Sequence, residues 1–386
     1  MIIEPMIRNS ICMNAHPAGC ELHVQQQIDY VRSKGAIAGP KRVLVIGGSA
    51  GYGLATRIVA AFGAGAGSIC VAFEREPSAK RAGSAGWYTA TAFDERARAA
   101  GLAAETIFAD AFAHETRRYT IERIRDLLGS VDLVVYSLAS GVRIDPDSGE
   151  QYRSVLKPLG RTYTNTTVDP MTGELSQAEI EPATEEEAAA TVKVMGGEDW
   201  QLWIRALEEA DVLAEGAMTV AYSYIGPELT RPVYREGTIG RAKDHLEQTA
   251  RDLDALMKPR GGRAFVSVNK ALVTRASAVI PVVPLYLGIL YRIMKQRGLH
   301  EGCIEQMYRL FAERLYSGTE PEVDEHGRIR LDDWEMREDV QAEVNRIWPT
   351  VSASNLNQIA DFDGYRQEFL QLHGFGYPQI DYSTET

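Results

Sequence analysis

Two tyrosine–lysine pairs in the chain have the residue types for proton chemistry. Tyr234 and Lys243 stand nine residues apart, and Tyr291 and Lys295 four apart, with Ser277 fourteen residues before Tyr291. A phenol can give a proton to an oxygen that gains electrons, while a nearby ammonium lowers the phenol's pKa and can bind sugar hydroxyls. On one straight helix a nine-residue spacing is about two and a half turns, which would put Tyr234 and Lys243 on opposite faces. Gly237-Thr238-Ile239-Gly240 resolves this: Thr238 is expected to cap a helix carrying Lys243, while Tyr234 stays in the preceding loop and reaches back. The other pair belongs to an apolar helix over 286–295, whose Arg292 and Lys295 near its end suit the helix dipole and solvent. Residue types alone favour Tyr234 and leave Tyr291 as the alternative.

Such a pair needs an electron source, and the stretch Val43 to Arg57 offers a place for one. A buried-looking strand, Val43-Leu44-Val45-Ile46, runs through Gly47, Gly51 and Gly53 into an apolar helix start. Strand, glycine turn and helix bring backbone N–H groups and a helix N-terminus to one point, where a pyrophosphate can sit without a side-chain counter-ion. The G-x-x-x-G-x-G spacing is the short-chain dehydrogenase variant of the dinucleotide fingerprint. Glycines alone also make ordinary tight turns. Here a second apolar strand follows, Ser68 to Glu74, and its final acid lies about twenty residues beyond the glycines, where a carboxylate holds the adenosine ribose hydroxyls. Glu74 would repel a 2′-phosphate, so NAD(H) is expected over NADP(H), with Arg75 beside it tempering the discrimination.

Around these motifs, 386 residues with 45% hydrophobic and 24% charged content describe a folded chain rather than a disordered one. A net charge of −12 argues against a nucleic-acid surface. The four cysteines, Cys12, Cys20, Cys70 and Cys303, have no C-x-x-C spacing, so neither a metal site nor obligatory disulfides are expected, as in a reducing cytoplasm. Met1-Ile2-Ile3-Glu4-Pro5 has no basic-then-apolar signal pattern, and the apolar stretch Ile280 to Leu290, interrupted by Pro281 and Pro284, is too short to span a bilayer. The sequon Asn165-Thr166-Thr167 is then accidental.

Further along, strands and helices alternate. Residues 2–13 read as a strand or hairpin, His16-Pro17-Ala18-Gly19 as a turn and Cys20 to Lys34 as a helix ended by Gly35; this lead-in could cover a sheet edge. A third strand over 105–111 ends in Asp110-Ala111, where dinucleotide folds contact adenine, and a fourth over 131–140 ends in small residues that let a cofactor approach. Turns at 145–150 and 169–174 bracket a small antiparallel insertion, and Met218 to Tyr224 is a later strand. Alternation at this spacing specifies a parallel sheet with right-handed crossovers. The expected fold is α/β: a Rossmann-type doubly wound parallel sheet with a small β insertion and a helical C-terminal extension. The chain divides into a lead-in (1–40), a Rossmann core (41–140 and 215–280), an inserted flap (141–182) and the helical extension (300–386), within one domain (1–386). No charged residue of the extension calls for a catalytic role.

Dense stretches make the chain resemble the bacterial trans-2-enoyl-CoA and enoyl-acyl-carrier-protein reductases of the FabV type. They include Gly19-Cys20, Gly47 to Gly53, Gly86-Trp87-Tyr88, Val135 to Ala139, Val194 to Trp200, Ala221 to Gly226, Ser277 to Pro281 and His300 to Gln306, and the likeness covers essentially Met1 to Tyr382. The resemblance implies that Tyr234 and Lys243 are catalytic and that Tyr224 touches substrate. It also implies cofactor contacts from Gly47, Gly48, Ser49, Ala50, Gly51, Tyr52, Phe73, Glu74, Asp110, Ala111, Leu138, Ala139, Lys243, Leu272, Val273 and Thr274. The first residues of the 280–290 stretch resemble the family's acyl-chain cover. Gly48 stands where Cys or Ala is expected and Arg275 where many members carry Gln.

The expected activity is therefore NADH-dependent reduction of an enoyl thioester, enoyl-CoA or enoyl-acyl-carrier-protein, as in fatty acid synthesis, by a cytoplasmic monomer with no nucleic-acid or membrane partner. Hydride goes to the β-carbon, Tyr234 stabilises or protonates the enolate, and Lys243 orients the ribose and tunes Tyr234. The alternatives are a ketone or alcohol oxidoreductase using Tyr291 and Lys295, or an NAD-binding redox sensor without turnover.

Overall fold

The central strands are apolar on both faces because helices cover both. In β1 (Arg42–Ile46), Val43 and Val45 face one core while Leu44 and Ile46 face another. With β2 (Gly67–Ala72), β3 (Ala104–Phe108), β4 (Val131–Tyr136), β5 (Leu213–Ser223), β6 (Arg263–Val268) and β7 (Arg328–Arg330) it forms a seven-stranded sheet in the order β3-β2-β1-β4-β5-β6-β7. Every pairing is parallel. Strand order reverses between β1 and β4, and that switch point opens a crevice at the strand C-termini. The computed structural model describes residues 2–8, 11–274, 277 and 280–384. Arg275, and Ala278 and Val279 of the Ser277-to-Pro281 stretch, lie outside the described residues.

Helices cover both faces, as double winding requires. On one side lie α1 (Pro17–Lys34), α2 (Gly51–Ala64) and α3 (Ala85–Ala99), contributing Val24, Ile28, Leu54, Ile58 and Phe93. On the other, α4 (His114–Leu127), α6 (Glu198–Glu209) and α7 (Thr238–Met257) contribute Ile124, Trp200, Trp203, Leu246 and Leu253, with α5 (Glu185–Met195) packed on α7. The lead-in helix packs on α2 and α3 instead of on a sheet edge. It begins at Pro17, earlier than expected, because the imidazole of His16 accepts the Gly19 N–H and serves as its cap. Gly86-Trp87-Tyr88 lies within α3.

The insertion is a pair of hairpins, Val142–Ile144 with Gln151–Arg153 and Tyr163–Val168 with Leu175–Ile180. The Asp169 carboxylate closes the second turn by accepting the N–H groups of Met171 and Thr172. This hairpin is clasped by later parts of the chain: Thr167 Oγ1 accepts the Val282 N–H and Asn165 Oδ1 accepts the Trp348 indole N–H.

The C-terminal extension departs from the expectation of a purely helical segment. Its helix α9 (Cys303–Arg309) packs on α2, and α10 (Glu338–Ile347) and α11 (Phe362–Gln371) pack with α8 (Val283–Gln296) in a third core, but it also supplies β7, which pairs with β6 from Val266↔Arg328 to Val268↔Arg330. Three residues are too few to be legible as a strand from sequence. Among the described residues, no helix is long and apolar enough to cross a membrane.

Candidate active site

The glycine turn sits at the switch point. Gly47 has φ +89° and Gly51 φ +54°, both in the left-handed region that favours glycine. A Cβ on Gly47 would meet the Ser137 carbonyl at 2.5 Å, and one on Gly53 the Gly47 carbonyl at 2.1 Å, so strand, turn and α2 pack closer than any side chain allows. Nothing would meet a Cβ on Gly51 within 4 Å: that glycine is open on the crevice side, as close approach of a pyrophosphate requires. Ala50 is the N-cap of α2, with no side chain that could compete for the first N–H groups. Gly48 packs tightly, its Cβ position lying 2.8 Å from Cys70 Sγ, so the larger residue expected there would have to displace its neighbours.

Expected adenosine contacts gather beside this turn. β2 ends at Ala72, so Phe73 and Glu74 fall in the turn beyond it instead of in the strand. Phe73 is 83% exposed. Glu74 Oε1 accepts the Ser49 hydroxyl proton at 2.8 Å, and Gly86 of α3 lets the carboxylate lie where a Cβ would meet it at 2.0 Å. Asp110 turns back to accept the Phe112 N–H, and the Ala111 carbonyl accepts the Trp203 indole N–H. Leu138 and Ala139 follow β4 on the same edge.

Beyond β5 and β6 the edge is lined with phenols. Tyr224 and Tyr234 meet edge to face, with centroids 4.9 Å apart at 80°. Tyr234 lies in the turn before α7, its N–H donating to the Thr230 carbonyl. Gly240 in the first turn of α7 packs beneath it, since a Cβ there would meet the Arg235 carbonyl at 1.9 Å. Burial, and after it Glu335, push the Tyr234 phenol up, so it stays protonated. Among the described residues its hydroxyl has no hydrogen-bond partner. The Tyr52 hydroxyl donates to the Lys270 carbonyl, tying α2 to the segment after β6.

Lys243 sits one and a half turns into α7, as expected, but the cap differs. Gly237 is the N-cap, and Thr238 instead donates its hydroxyl to the Val155 carbonyl of the insertion. Burial lowers the Lys243 ammonium to about 8, against the pull of Glu247. Both acids near it on the helix are engaged by Arg235, which pairs with Asp244 at 2.7 Å and Glu247 at 3.3 Å. Among the described residues Lys243 itself has no ion pair or hydrogen bond.

The rival pair is scaffold. Tyr291 is fully buried, and its phenol oxygen accepts the Val273 N–H at 2.9 Å. Lys295 is paired with Asp361 at 2.7 Å, and Ser277 closes a turn by donating to the Leu272 carbonyl and accepting the Thr274 N–H. Tyr291 thus braces the segment Leu272-Val273-Thr274 from behind. Tyr291→Phe leaves the Val273 N–H buried and unpaired, at a cost of about 1–3 kcal/mol. We expect a lowered melting temperature with kcat within about threefold of the parent; a kcat loss approaching that of a proton-donor deletion would return the pair to candidacy.

One charged group at this edge was not foreseen. Glu335, fully buried, accepts the phenol protons of Tyr224 at 3.0 Å and Tyr286 at 2.7 Å on one oxygen and the Ala271 N–H at 2.7 Å on the other. Its segment, Asp332-Asp333-Trp334-Glu335, has no spacing that separates a buried acid from its surface neighbours. Only the two flanking apolar residues, Trp334 and Met336, hint at burial.

A doubly wound parallel sheet with a glycine turn at its switch point and a phenol-lined edge beyond defines a Rossmann-type α/β protein. The chain belongs to the trans-2-enoyl-CoA reductase family: residues 81–316 match the catalytic region of trans-2-enoyl-CoA reductase and residues 2–79 its NAD(P)H binding domain. It is 58% identical over 386 residues to an enoyl-(acyl-carrier-protein) reductase (NADH) of Flavobacterium johnsoniae, covering all of this chain and 98% of the relative. It is 57% identical to one of Coxiella burnetii, over 99% and 95%. Among solved structures, trans-2-enoyl-CoA reductase of Clostridium acetobutulicum in complex with NADH superposes with a TM-score of 0.97 at 44% identity, and that of Treponema denticola in complex with NAD with 0.96 at 53%. Each comparison covers 100% of this chain and 98% of the other.

Residues 323–386 match a model described as an enoyl reductase FAD binding domain. The side chains there do not fit a flavin dinucleotide. β7 leads into Asp332, Asp333 and Glu335, and the nearby guanidiniums are already taken, Arg330 by Asp332 and Arg309 by Glu301 and Asp333. Among the described residues of that segment, no glycine turn joins a strand to a helix as the one at Gly47 does.

Proposed function

We propose that this chain reduces the trans-2 double bond of an enoyl thioester, carried on CoA or acyl carrier protein, with NADH. The observation that carries the reading is the convergence of the open glycine turn and the Tyr224–Tyr234 pair on one strand edge of a chain matching NADH-dependent enoyl reductases along its whole length. The cofactor supplies a hydride to the substrate β-carbon when bound. Gly47 to Gly51 and the first N–H groups of α2 hold its pyrophosphate, with Tyr52 alongside, and Ser49-linked Glu74 with Phe73 holds the adenosine ribose. Asp110, Ala111, Leu138 and Ala139 wall the crevice, and Leu272 to Thr274 form the nicotinamide end. As electrons move onto the thioester oxygen, Tyr234 presents its phenol proton to the forming enolate, Tyr224 fixes the thioester, and Lys243 binds the nicotinamide ribose.

The matches to the catalytic region and to the NAD(P)H binding domain run on without a break, which supports a single enoyl reductase domain, 1–386. Four cysteines outside any disulfide, together with the NADH requirement, support a cytoplasmic setting.

Steady-state oxidation of NADH with crotonyl-CoA tests the activity, and absence of turnover would leave only a nucleotide-binding protein. The same assay with NADPH tests Glu74. A carboxylate that accepts ribose hydroxyls repels a 2′-phosphate, so kcat/KM is expected to favour NADH by at least about tenfold, or about 1.4 kcal/mol. Glu74→Ala narrows that gap. Equal efficiency with both cofactors in the parent protein would instead assign the ribose end to Arg75 or Arg81.

A further inference from the structure

The C-terminal segment brings one acid into the phenol cluster, and the consequence concerns which phenol can act. Glu335 is held by three parts of the chain: Tyr224 just beyond β5, Ala271 beyond β6 and Tyr286 in α8. Gln341 of α10 locks the arrangement by donating to the Glu335 carbonyl at 2.7 Å and to the Tyr286 oxygen at 3.2 Å. Burial pushes the Glu335 carboxyl up and the nearby Lys270, 2% exposed, opposes that shift; the Lys270 ammonium donates to the Ala271 carbonyl at 2.9 Å and lies 4.9 Å above the Tyr291 ring. A carboxylate that accepts one amide and two phenol protons, with a buried ammonium in its field, is the kind of fully satisfied polar group that fixes a unique geometry.

A phenol has one proton to donate. The Tyr224 proton is spent on Glu335, whereas the hydroxyl of Tyr234, packed edge-on against the same ring, has no hydrogen-bond partner among the described residues. We propose that Glu335 is a positioning residue of the reduction: by accepting the Tyr224 proton it fixes that ring against Tyr234 and reserves proton donation to the enolate oxygen for Tyr234. Tyr224 then meets the thioester through the face and edge of its ring, with no hydrogen bond of its own to offer the thioester oxygen. The 323–386 segment thereby acts in the site through a carboxylate that orients a side chain. The proposal rests on the substrate-facing roles given above to Tyr224 and Tyr234.

The test is a double-mutant cycle on the full chain with crotonyl-CoA and NADH, alongside NADH affinity measured by fluorescence titration. Glu335→Gln, which can satisfy at most one side of the arrangement, is expected to lower kcat about tenfold or more with NADH affinity within about twofold. In a Tyr224→Phe background the same change should cost less than about threefold, because the phenol through which Glu335 acts is gone. Glu335→Asp keeps the charge and should recover part of the kcat. If Glu335→Gln does not fold, Glu335→Asp in the two backgrounds gives the same cycle. Losses that multiply in the double variant, or a Glu335→Gln kcat equal to the parent's, would overturn the proposal. A Tyr234→Phe variant with undiminished turnover would instead overturn the underlying assignment of the proton donor, whatever the cycle gives.

Discussion

Tyr234→Phe is expected to lower kcat with crotonyl-CoA by about a hundredfold or more while NADH binds with nearly parental affinity, since a positioned proton donor contributes about that factor to a reaction that places charge on an oxygen. The structure makes this a clean deletion. The Tyr234 hydroxyl has no partner among the described residues, so its removal leaves no buried donor or acceptor stranded, and the ring that packs on Tyr224 remains. Stability should change little, and a lost kcat cannot then be ascribed to unfolding. Single-turnover measurements with saturating NADH check the expectation directly. A parental rate in Tyr234→Phe would move the proton to Tyr224 or to solvent.

Lys243→Met is expected to weaken NADH binding and to lower kcat, by about tenfold or more in kcat/KM, because the neighbouring guanidiniums are already paired, Arg241 with Glu185 and, in the turn before α7, Arg235 with Asp244 and Glu247. The pH dependence gives the sharper reading. With the Lys243 ammonium lowered to about 8 by burial, the charged form prevails below that pH, so NADH affinity should decline as pH rises through it. Lys243→Arg keeps its charge throughout, and should recover part of the activity and flatten that basic limb. The displacement also bears on folding. The unfolded chain holds this proton up to about 10.5, the folded one only up to about 8, so the group's contribution to stability falls as pH drops through that window and is constant below it. An effect on NADH binding that leaves the pH dependence of chemistry untouched would limit the lysine to the ribose. Normal affinity and kcat across pH 6 to 10 would remove it from the site altogether.

The sequence by itself determined what depends on neighbours along the chain. The glycine turn was legible because strand, turn and helix are consecutive, and their function lies in backbone N–H groups that any sequence with glycines at 47, 51 and 53 presents. The parallel sheet was legible because strands and helices alternate along the chain, and because the central strands, covered on both faces, are apolar runs. The break at Gly237 separating Tyr234 from the Lys243 helix was legible for the same local reason, although the capping atom was not: the Thr238 hydroxyl found a carbonyl 83 residues away more favourable than its own helix end.

Only the tertiary structure decided the rest. Nothing near Tyr291 in sequence says that its oxygen will be consumed by Val273, eighteen residues earlier, and that single hydrogen bond separates a bracing tyrosine from an acting one. Glu335 lies 111 residues from Tyr224, and the three-residue strand β7 that delivers it has too short a pattern to predict. Parallel strands recruited from the end of the chain pair across long loops, so their partners are fixed by the closing of the whole sheet and not by local spacing. A buried carboxylate is stable only once its donors are assembled around it, and those donors, from the segments after β5 and β6 and from α8, meet nowhere but in the folded protein.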